Sequence, residues 1–365
     1  MSAAARVLHL IPTLDLGGAE RQLRYLCPQL AACGLEPHVA YLRGGPNLAP
    51  LLQARVATHP LRASHRSPLL ALEIARLVRA LRPAVVQTWL PVMDIVGGVM
   101  AQVLGVPWIA SERSLPSAYA GSTTMWLRNR CVVHADAVVS NSIAADAWWA
   151  AHLPARVMHC AIPNGLPLDE LEAVPPAEDA LLFGLGGERP LVVFVGRLDQ
   201  GKNIDTLLDV LVRVVREMPA DALLCGDGIL RAQVRARIER EGLVGRIVAP
   251  GYVAAAPAVL KRAALLLSLS RYEGMPNAVM EAAAVGCPIV LSDIPAHRAV
   301  LDDDTAVFVP TEDADAAAGA VLASLRAPAP AHVRAARAHA RAATWSVAAA
   351  ARRYAELYRE LSAGR

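Results

Sequence analysis

Two carboxylates and two cations in the second half of this 365-residue chain have the types and spacing of a ligand site. Glu273 and Glu281 have seven residues between them, among them Gly274, Met275, Pro276 and Asn277. An apolar run over residues 264–269 has strand length, and Pro276 can open a helix that Gly286 closes. In the resulting order of strand, loop and helix, Glu273 falls in the loop and Glu281 a turn into the helix. Both can face one crevice at the carboxyl end of a strand, where open α/β sheets bind ligands. Gly274 and the first amides of the helix reach the same place, where N–H groups bind an oxyanion or a sugar hydroxyl. A solvated helix also carries surface acids; the Gly-x-Pro-Asn between these two sets them apart.

The cations belong to Gly196-Arg197-Leu198-Asp199-Gln200-Gly201-Lys202-Asn203, which follows a strand-length apolar run over residues 191–195. Gly-x4-Gly-Lys is met, but Asn203 stands where a nucleotide hydrolase needs Ser or Thr on Mg²⁺, which argues against an ATPase or GTPase. Arg197 and Lys202 leading into a helix still suit a diphosphate, because two cations and helix amides oppose the same negative charge. Exposed basic residues without a ligand would read the same in isolation. Further on, a strand over 222–225 enters Gly226-Asp227-Gly228, a tight turn or a nucleotide-lining loop. Gly251-Tyr252-Val253 follows the strand at 247–249. Asp302-Asp303-Asp304 contains Asp-x-Asp, a pattern that elsewhere holds a divalent metal on a nucleotide-sugar diphosphate; with Arg197 and Lys202 present, no metal is expected.

These loops need sheets to hold them. Residues 6–11 read as a strand, and the glycine turn containing Gly17 and Gly18 opens a helix that runs to about Cys33. No Gly-x-Gly-x-x-Gly is present there, which argues against an NAD enzyme, and tight strand-to-helix packing is an alternative account of the two glycines. Strands at 37–42, 84–89 and 107–111 alternate with helices at 68–81 and 94–104, as parallel βαβ units require. The chain is long for one core, so two domains are predicted. Apolar spacing at Val347, Tyr354, Leu357 and Leu361 predicts a helix over 345–361.

Net charge is +3, unevenly spread: six arginines against Glu73 between Arg55 and Arg82, and eight against Glu356 and Glu360 from Arg326 onward. Solvated helix faces explain this; the alternative is a basic surface meeting anionic lipid. No nucleic-acid motif accompanies it. Met1 to Leu14 lacks the pattern of a signal peptide, and residues 95–110 are too short to span a bilayer. A cytoplasmic protein is expected, with contact at the inner face of the membrane left open. The six cysteines show no Cys-x-x-Cys pair and are expected to be reduced.

The segment Glu273 to Glu281, followed by Gly286-Cys287-Pro288-Ile289-Val290, resembles the Glu-x7-Glu signature of retaining GT-B glycosyltransferases, most closely family 4. Gly17-Gly18-Ala19-Glu20, Gly196-Arg197-Leu198, Lys202-Asn203 and Ile162-Pro163-Asn164-Gly165 match the same family. The resemblance implies two Rossmann-like domains with parallel sheets facing a central cleft: residues 1–170 on the acceptor side, 171–340 binding the nucleotide-sugar, and 341–365 returning as a helix onto the first. It implies that Arg197 and Lys202 hold the donor phosphates, that Glu273 holds the sugar near its reacting face, and that Glu281 accepts from the ribose. Gly17, Gly18, Gly196, Asp227, Tyr252, Val253, Gly274, Met275, Pro276 and Asn277 would line the donor. Family members place a His soon after Val-Val-Gln-Thr-Trp; here Leu90-Pro91-Val92-Met93-Asp94 follows instead. Asp94 is the polar candidate there, with a helix N-cap as its other role. Arg113, beside Glu112 at a strand end, is a second acceptor-side candidate. The activity implied is retaining transfer from a UDP- or GDP-sugar to a hydroxyl of a glycan or lipid-linked acceptor, without metal or other cofactor, in polysaccharide or glycolipid assembly. A sugar-nucleotide-binding protein without transfer, or a 2-epimerase, is the alternative; an epimerase needs acid and base side chains beside the sugar, and no clear His is offered.

Overall fold

The computed structural model describes residues 4–114 and 121–363. The chain forms two compact units, Met1–Leu166 with Trp345–Arg365, and Pro167–Thr344. The first carries seven strands, β1 (Ala5–Thr13), β2 (Leu35–Arg43), β3 (Ala57–Pro60), β4 (Val85–Trp89), β5 (Trp108–Glu112), β6 (Ala137–Ser140) and β7 (Met158–Ala161), in the order β3-β2-β1-β4-β5-β6-β7. The second carries six, β8 (Leu191–Val195), β9 (Asp221–Cys225), β10 (Ile247–Gly251), β11 (Leu265–Ser268), β12 (Ile289–Ser292) and β13 (Val307–Val309), in the order β10-β9-β8-β11-β12-β13. Every pairing is parallel. This is the doubly wound architecture that the alternation of strands and helices predicts. Strand order reverses once in each sheet, between β1 and β4 and between β8 and β11.

Strands covered on both faces must be apolar along their length, and Leu-Val-Val-Phe-Val in β8 and Leu-Leu-Leu in β11 satisfy that. In the second unit the helix Ile204–Glu217 buries Leu207, Leu211, Val214 and Val215 together with Val192 and Phe194 of β8. Each such side chain contributes about 1.5–3 kcal/mol on burial. Several short elements carry no comparable signal. The helix Thr123–Val132 reads Thr-Thr-Met-Trp-Leu-Arg-Asn-Arg-Cys-Val without an apolar stripe, and β3 is four residues long on the edge of its sheet.

The chain passes from the first unit to the second after Leu166 and returns at Trp345, not at residues 170 and 341. The two crossings are held side by side: Leu166 N donates to Trp345 O at 2.7 Å and Val347 N to Leu166 O at 2.9 Å. Residues 341 and 342 are still inside the helix Pro328–Ala342 of the second unit. The last helix, Val347–Ala363, packs on the first unit and buries Tyr354 and Tyr358 in its core. No described helix is long and apolar enough to cross a membrane. All six cysteines are free thiols.

Beneath that helix lies a polar layer. Tyr358 Oη bonds Gln87 Oε1, Gln87 Nε2 donates to Ser111 Oγ at 2.6 Å, and Trp89 Nε1 donates to His9 Nδ1 at 3.2 Å. His9 is wholly buried and its Nε2 has no partner among the described residues. Burial, reinforced by the Arg113 charge, pushes its imidazole down to about 3. The native protein therefore refuses a proton that the unfolded chain accepts near pH 6.5, so stability is intact above pH 6.5 and falls on acidification toward pH 3. The slope is about 1.4 kcal/mol per pH unit. Replacing His9→Gln should remove about 2 kcal/mol of the stability lost between pH 6.5 and pH 5. Urea unfolding at both pH values checks it; an unchanged pH dependence would mean that His9 can be protonated in the fold.

Candidate functional site

In the second unit the switch point puts the loop after β8 next to the loop after β11. The first loop is built by its own side chains. Asp199 Oδ1 accepts from Lys202 N at 3.2 Å and caps a 3-10 turn, Gln200–Lys202, after which Asn203 takes a left-handed conformation at φ 54°. Asn203 Nδ2 donates to Thr311 O at 2.8 Å, and its Oδ1 accepts from Thr206 Oγ1 at 2.9 Å. Asparagine tolerates that backbone region and a β-branched residue does not, which explains why no Thr stands here. Arg271 sews the two loops together: its N donates to Gly201 O at 2.9 Å, its Nη1 to Gln200 O at 2.7 Å, and its Nε pairs with Glu312 at 2.8 Å.

Across this seam Lys202 Nζ pairs with Glu273 Oε1, and Ser270 Oγ donates to the same oxygen at 2.7 Å. The two charged side chains are 20% and 12% exposed, so a ligand can reach them from one side. Arg197 is different. Its side chain is 80% exposed and, among the described residues, pairs with Asp199 at 3.0 Å. Pro276 caps the helix Asn277–Ala284, which carries Glu281, 3% exposed, and ends before Gly286 at φ 72°. Gly274, Met275 and Asn277 are partly exposed at its mouth.

The loops after β9 and β10 continue the row. A Cβ at Gly226 would fall on the Gly196 carbonyl oxygen, and one at Gly228 on the Leu198 carbonyl. Both glycines are therefore needed for the close approach of this loop to the Arg197 loop, where Leu198 N donates to Asp227 O at 2.9 Å. Arg231 joins the next loop: Nη1 pairs with Asp227 at 2.9 Å and Nη2 donates to Pro250 O at 3.0 Å. Tyr252 beyond it is half-exposed and Val253 is buried. Asp302, Asp303 and Asp304 are taken up by Arg341, Arg298 and Arg337 at 2.6, 2.9 and 3.1 Å. Among the described residues no group of three or more His, Cys, Asp or Glu could hold a metal ion.

In the first unit Gly17 caps the helix Gly18–Ala32 directly after β1, and both glycines are exposed. Glu20 folds back over the turn and accepts from Thr13 Oγ1 at 2.8 Å. The two acceptor-side candidates both have partners inside this unit. Asp94 is neither an N-cap nor at a surface: Leu90 caps that helix, and Asp94 is fully buried, 2.7 Å from Arg128 and 2.6 Å from Thr88 Oγ1. Arg128 also holds Glu112 at 2.5 Å, and Trp149 Nε1 donates to Glu112 at 3.1 Å, so both acids are interior counterions. The guanidinium of Arg113 lies 4.2 Å over Trp89, donates to Tyr354 Oη at 2.6 Å and to Asn164 Oδ1 at 3.1 Å. It fastens the last helix. Leu90 sits at the carboxyl end of β4 with φ 71°, a region that side chains seldom adopt.

Sequence reasoning passed over Ser270, Asp199 and Arg271, which orient the charged pair and join its loops. Only Ser270, three residues before Glu273, had a local signal.

Comparison with known proteins bears on the family and the fold. The family model described as "Glycosyl transferases group 1" matches residues 189–327, and "Glycosyltransferase Family 4" matches residues 16–170. A phosphatidyl-myo-inositol mannosyltransferase of Mycobacterium leprae is 32% identical over 178 residues, covering 45% of this chain and 44% of that protein. The Vi polysaccharide biosynthesis protein VipC/TviE of Salmonella typhi is 36% identical over 90 residues, covering 24% of this chain and 16% of its own length. The matched stretches thus span less than half of these relatives. Among solved structures, Anabaena HepE in complex with UDP-glucose is similar with a TM-score of 0.84 at 18% identity, covering 97% of this chain and 99% of the other. Sucrose-phosphate synthase of Thermosynechococcus elongatus gives 0.81 at 22% identity, covering 99% and 100%. At such identities the likeness establishes the fold, GT-B.

Asn203→Thr, which would complete the hydrolase motif in sequence, is expected to lower the unfolding free energy by about 2–3 kcal/mol and to bring no ATP hydrolysis. A denaturation midpoint equal to that of the parent would show that the turn does not require Asn.

Proposed function

The chain belongs to glycosyltransferase family 4, the group 1 glycosyl transferases, and from that premise we propose that it moves a sugar from a UDP- or GDP-sugar to an acceptor hydroxyl. The observation that carries the reading is the meeting of Lys202 and Glu273 at the switch point of the second sheet, with exposed Arg197 on the same loop and Glu281 on the helix behind. Lys202 and Arg197 would take the donor diphosphate and stabilise the charge that grows on it as the sugar departs. In a site shielded from water such an effect is worth about 2.7–4 kcal/mol per donor group removed. Glu273 would hold the sugar through its hydroxyls and Glu281 the ribose. Asp227, Tyr252 and Val253 stand farther along the same strand ends, where the base would lie.

Transfer is proposed to retain the anomeric configuration, the acceptor hydroxyl attacking from the face that the diphosphate leaves. No metal is assigned a part: the two cations of the loop would supply the charge that a metal supplies elsewhere. The mannosyltransferase and Vi polysaccharide relatives support a glycan or lipid-linked acceptor in cell-surface polysaccharide or glycolipid assembly. Contact with a membrane face remains part of this proposal through the arginines between Arg55 and Arg82. A second reading, donor binding without transfer, is favoured by Leu90-Pro91-Val92 standing where family members place a His.

Thermal shift against UDP, GDP, CMP, ATP and NAD, each with magnesium and with EDTA, separates these readings. A ligand at a hundred times its dissociation constant adds about 2.7 kcal/mol. Stabilisation by UDP or GDP that survives EDTA is expected; no shift with any nucleotide would overturn the donor site. Lys202→Ala should lower turnover of the matching nucleotide-sugar by about 10²–10³-fold with the fold intact. Unchanged turnover would remove Lys202 from the mechanism, and donor binding without turnover in the parent would favour the second reading.

A further inference from the structure

We propose that Ser270, Ser292 and His297 are positioning residues for Glu273, whose hydrogen bonds fix the plane in which its carboxylate meets the donor sugar. The proposal rests on the donor-site reading above and deepens it.

All three side chains are fully buried at the carboxyl ends of β11 and β12 and in the short helix Pro295–Arg298. The first two bonds hold the backbone carbonyls of Ser292 and Ser270, and the last ends on the carboxylate. His297 Nδ1 donates to Ser292 O at 2.8 Å, Ser292 Oγ donates to Ser270 O at 2.6 Å, and Ser270 Oγ donates to Glu273 Oε1 at 2.7 Å. Lys202 Nζ meets that same Oε1 from the neighbouring loop. Two donors therefore converge on one oxygen, while Oε2 accepts no hydrogen bond among the described residues. A carboxylate turns easily about its last torsion unless bonds hold it. Here, turning its plane away from Ser270 and Lys202 breaks two.

Ordinary core packing does not account for the arrangement. The neighbours Leu269, Leu291 and Ile294 are buried and apolar, and polar groups in such surroundings cost stability unless they are bonded. His297 is only half satisfied: Nε2 is buried without a partner among the described residues. The Ser292 carbonyl can only accept, which places a proton on Nδ1 directed at it, and burial holds this imidazole below its ordinary value. Glu273 is the one member of the chain that is open to a ligand, with 12% of its side chain exposed. A buried series that ends on an accessible carboxylate orients that carboxylate.

The test is titration calorimetry of the parent, Ser270→Ala and Ser292→Ala with UDP and UDP-glucose, or with GDP and GDP-mannose where the guanine pair is the one that binds the parent. Ser270→Ala should weaken the nucleotide-sugar by roughly tenfold and the bare nucleoside diphosphate by less than about twofold, as loss of one oriented charged hydrogen bond implies. Ser292→Ala should shift the same selectivity by a smaller factor, and it keeps the test open if Ser270→Ala does not fold. Unaltered affinity for both ligands would overturn the proposal. Equal loss for both would assign the serines to the general fold of the loops and overturn it too. A parent that binds neither pair would overturn the donor-site reading itself, a distinguishable result.

Discussion

Lys202 and Glu273 lie 71 positions apart in sequence and meet because β8 and β11 are neighbours in the second sheet. They are neighbours because the chain lays β9 and β10 on one side of β8 and then crosses to the other. At that reversal the loops after β8 and β11 come side by side, the position where open α/β sheets take their ligands. The ion pair spans the two loops, and Arg271 joins them by bonding the backbone of the Gly201 loop. The other features of the site answer to this seam: the left-handed Asn203 that aims Lys202, the glycines at 226 and 228 that let the next loop come close, and the serine that presses on Glu273.

The first sheet reverses in the same way between β1 and β4, and its two loops carry Gly17 and Leu90. What surrounds them is largely structural. Two acids near the strand ends, Asp94 and Glu112, share the single guanidinium of Arg128 in the interior, and burial pushes the Asp94 carboxyl up. Such a group is costly to break, since removing one member leaves an unpaired buried charge worth about 3–5 kcal/mol. Arg113 is drawn over Trp89 and to Tyr354, so this cation also ties the last helix to the strand ends.

The C-terminal arginine cluster follows the same logic. In the final stretch Arg337 and Arg341 pair with Asp304 and Asp302, and Arg353 and Arg359 donate to the carbonyls of Ala161 and Cys33. These cations hold loops and helix ends of their own units. The three acids of the Asp-x-Asp sequence each pair with an arginine while staying exposed. Net charge in the sequence does not separate a binding surface from such internal fastening; only the partners do.

The sequence by itself determined the alternation of strands and helices, hence two parallel sheets, because apolar runs of strand length and helical stripes are local properties. It also determined the Lys202 loop and the Glu273 to Glu281 segment, because glycine, proline and the charged residues act through fixed short spacings. The short helix Thr123–Val132 and edge strand β3 escaped it, since neither has enough apolar pattern to stand out. Tertiary structure alone decided that Lys202 and Glu273 share a carboxylate oxygen with Ser270, that Asp94 and Glu112 face Arg128, and that Arg113 reaches Tyr354, 241 positions away. Those choices depend on which strands lie side by side and on how much water reaches each charge, and neither quantity is carried by any one segment of the chain.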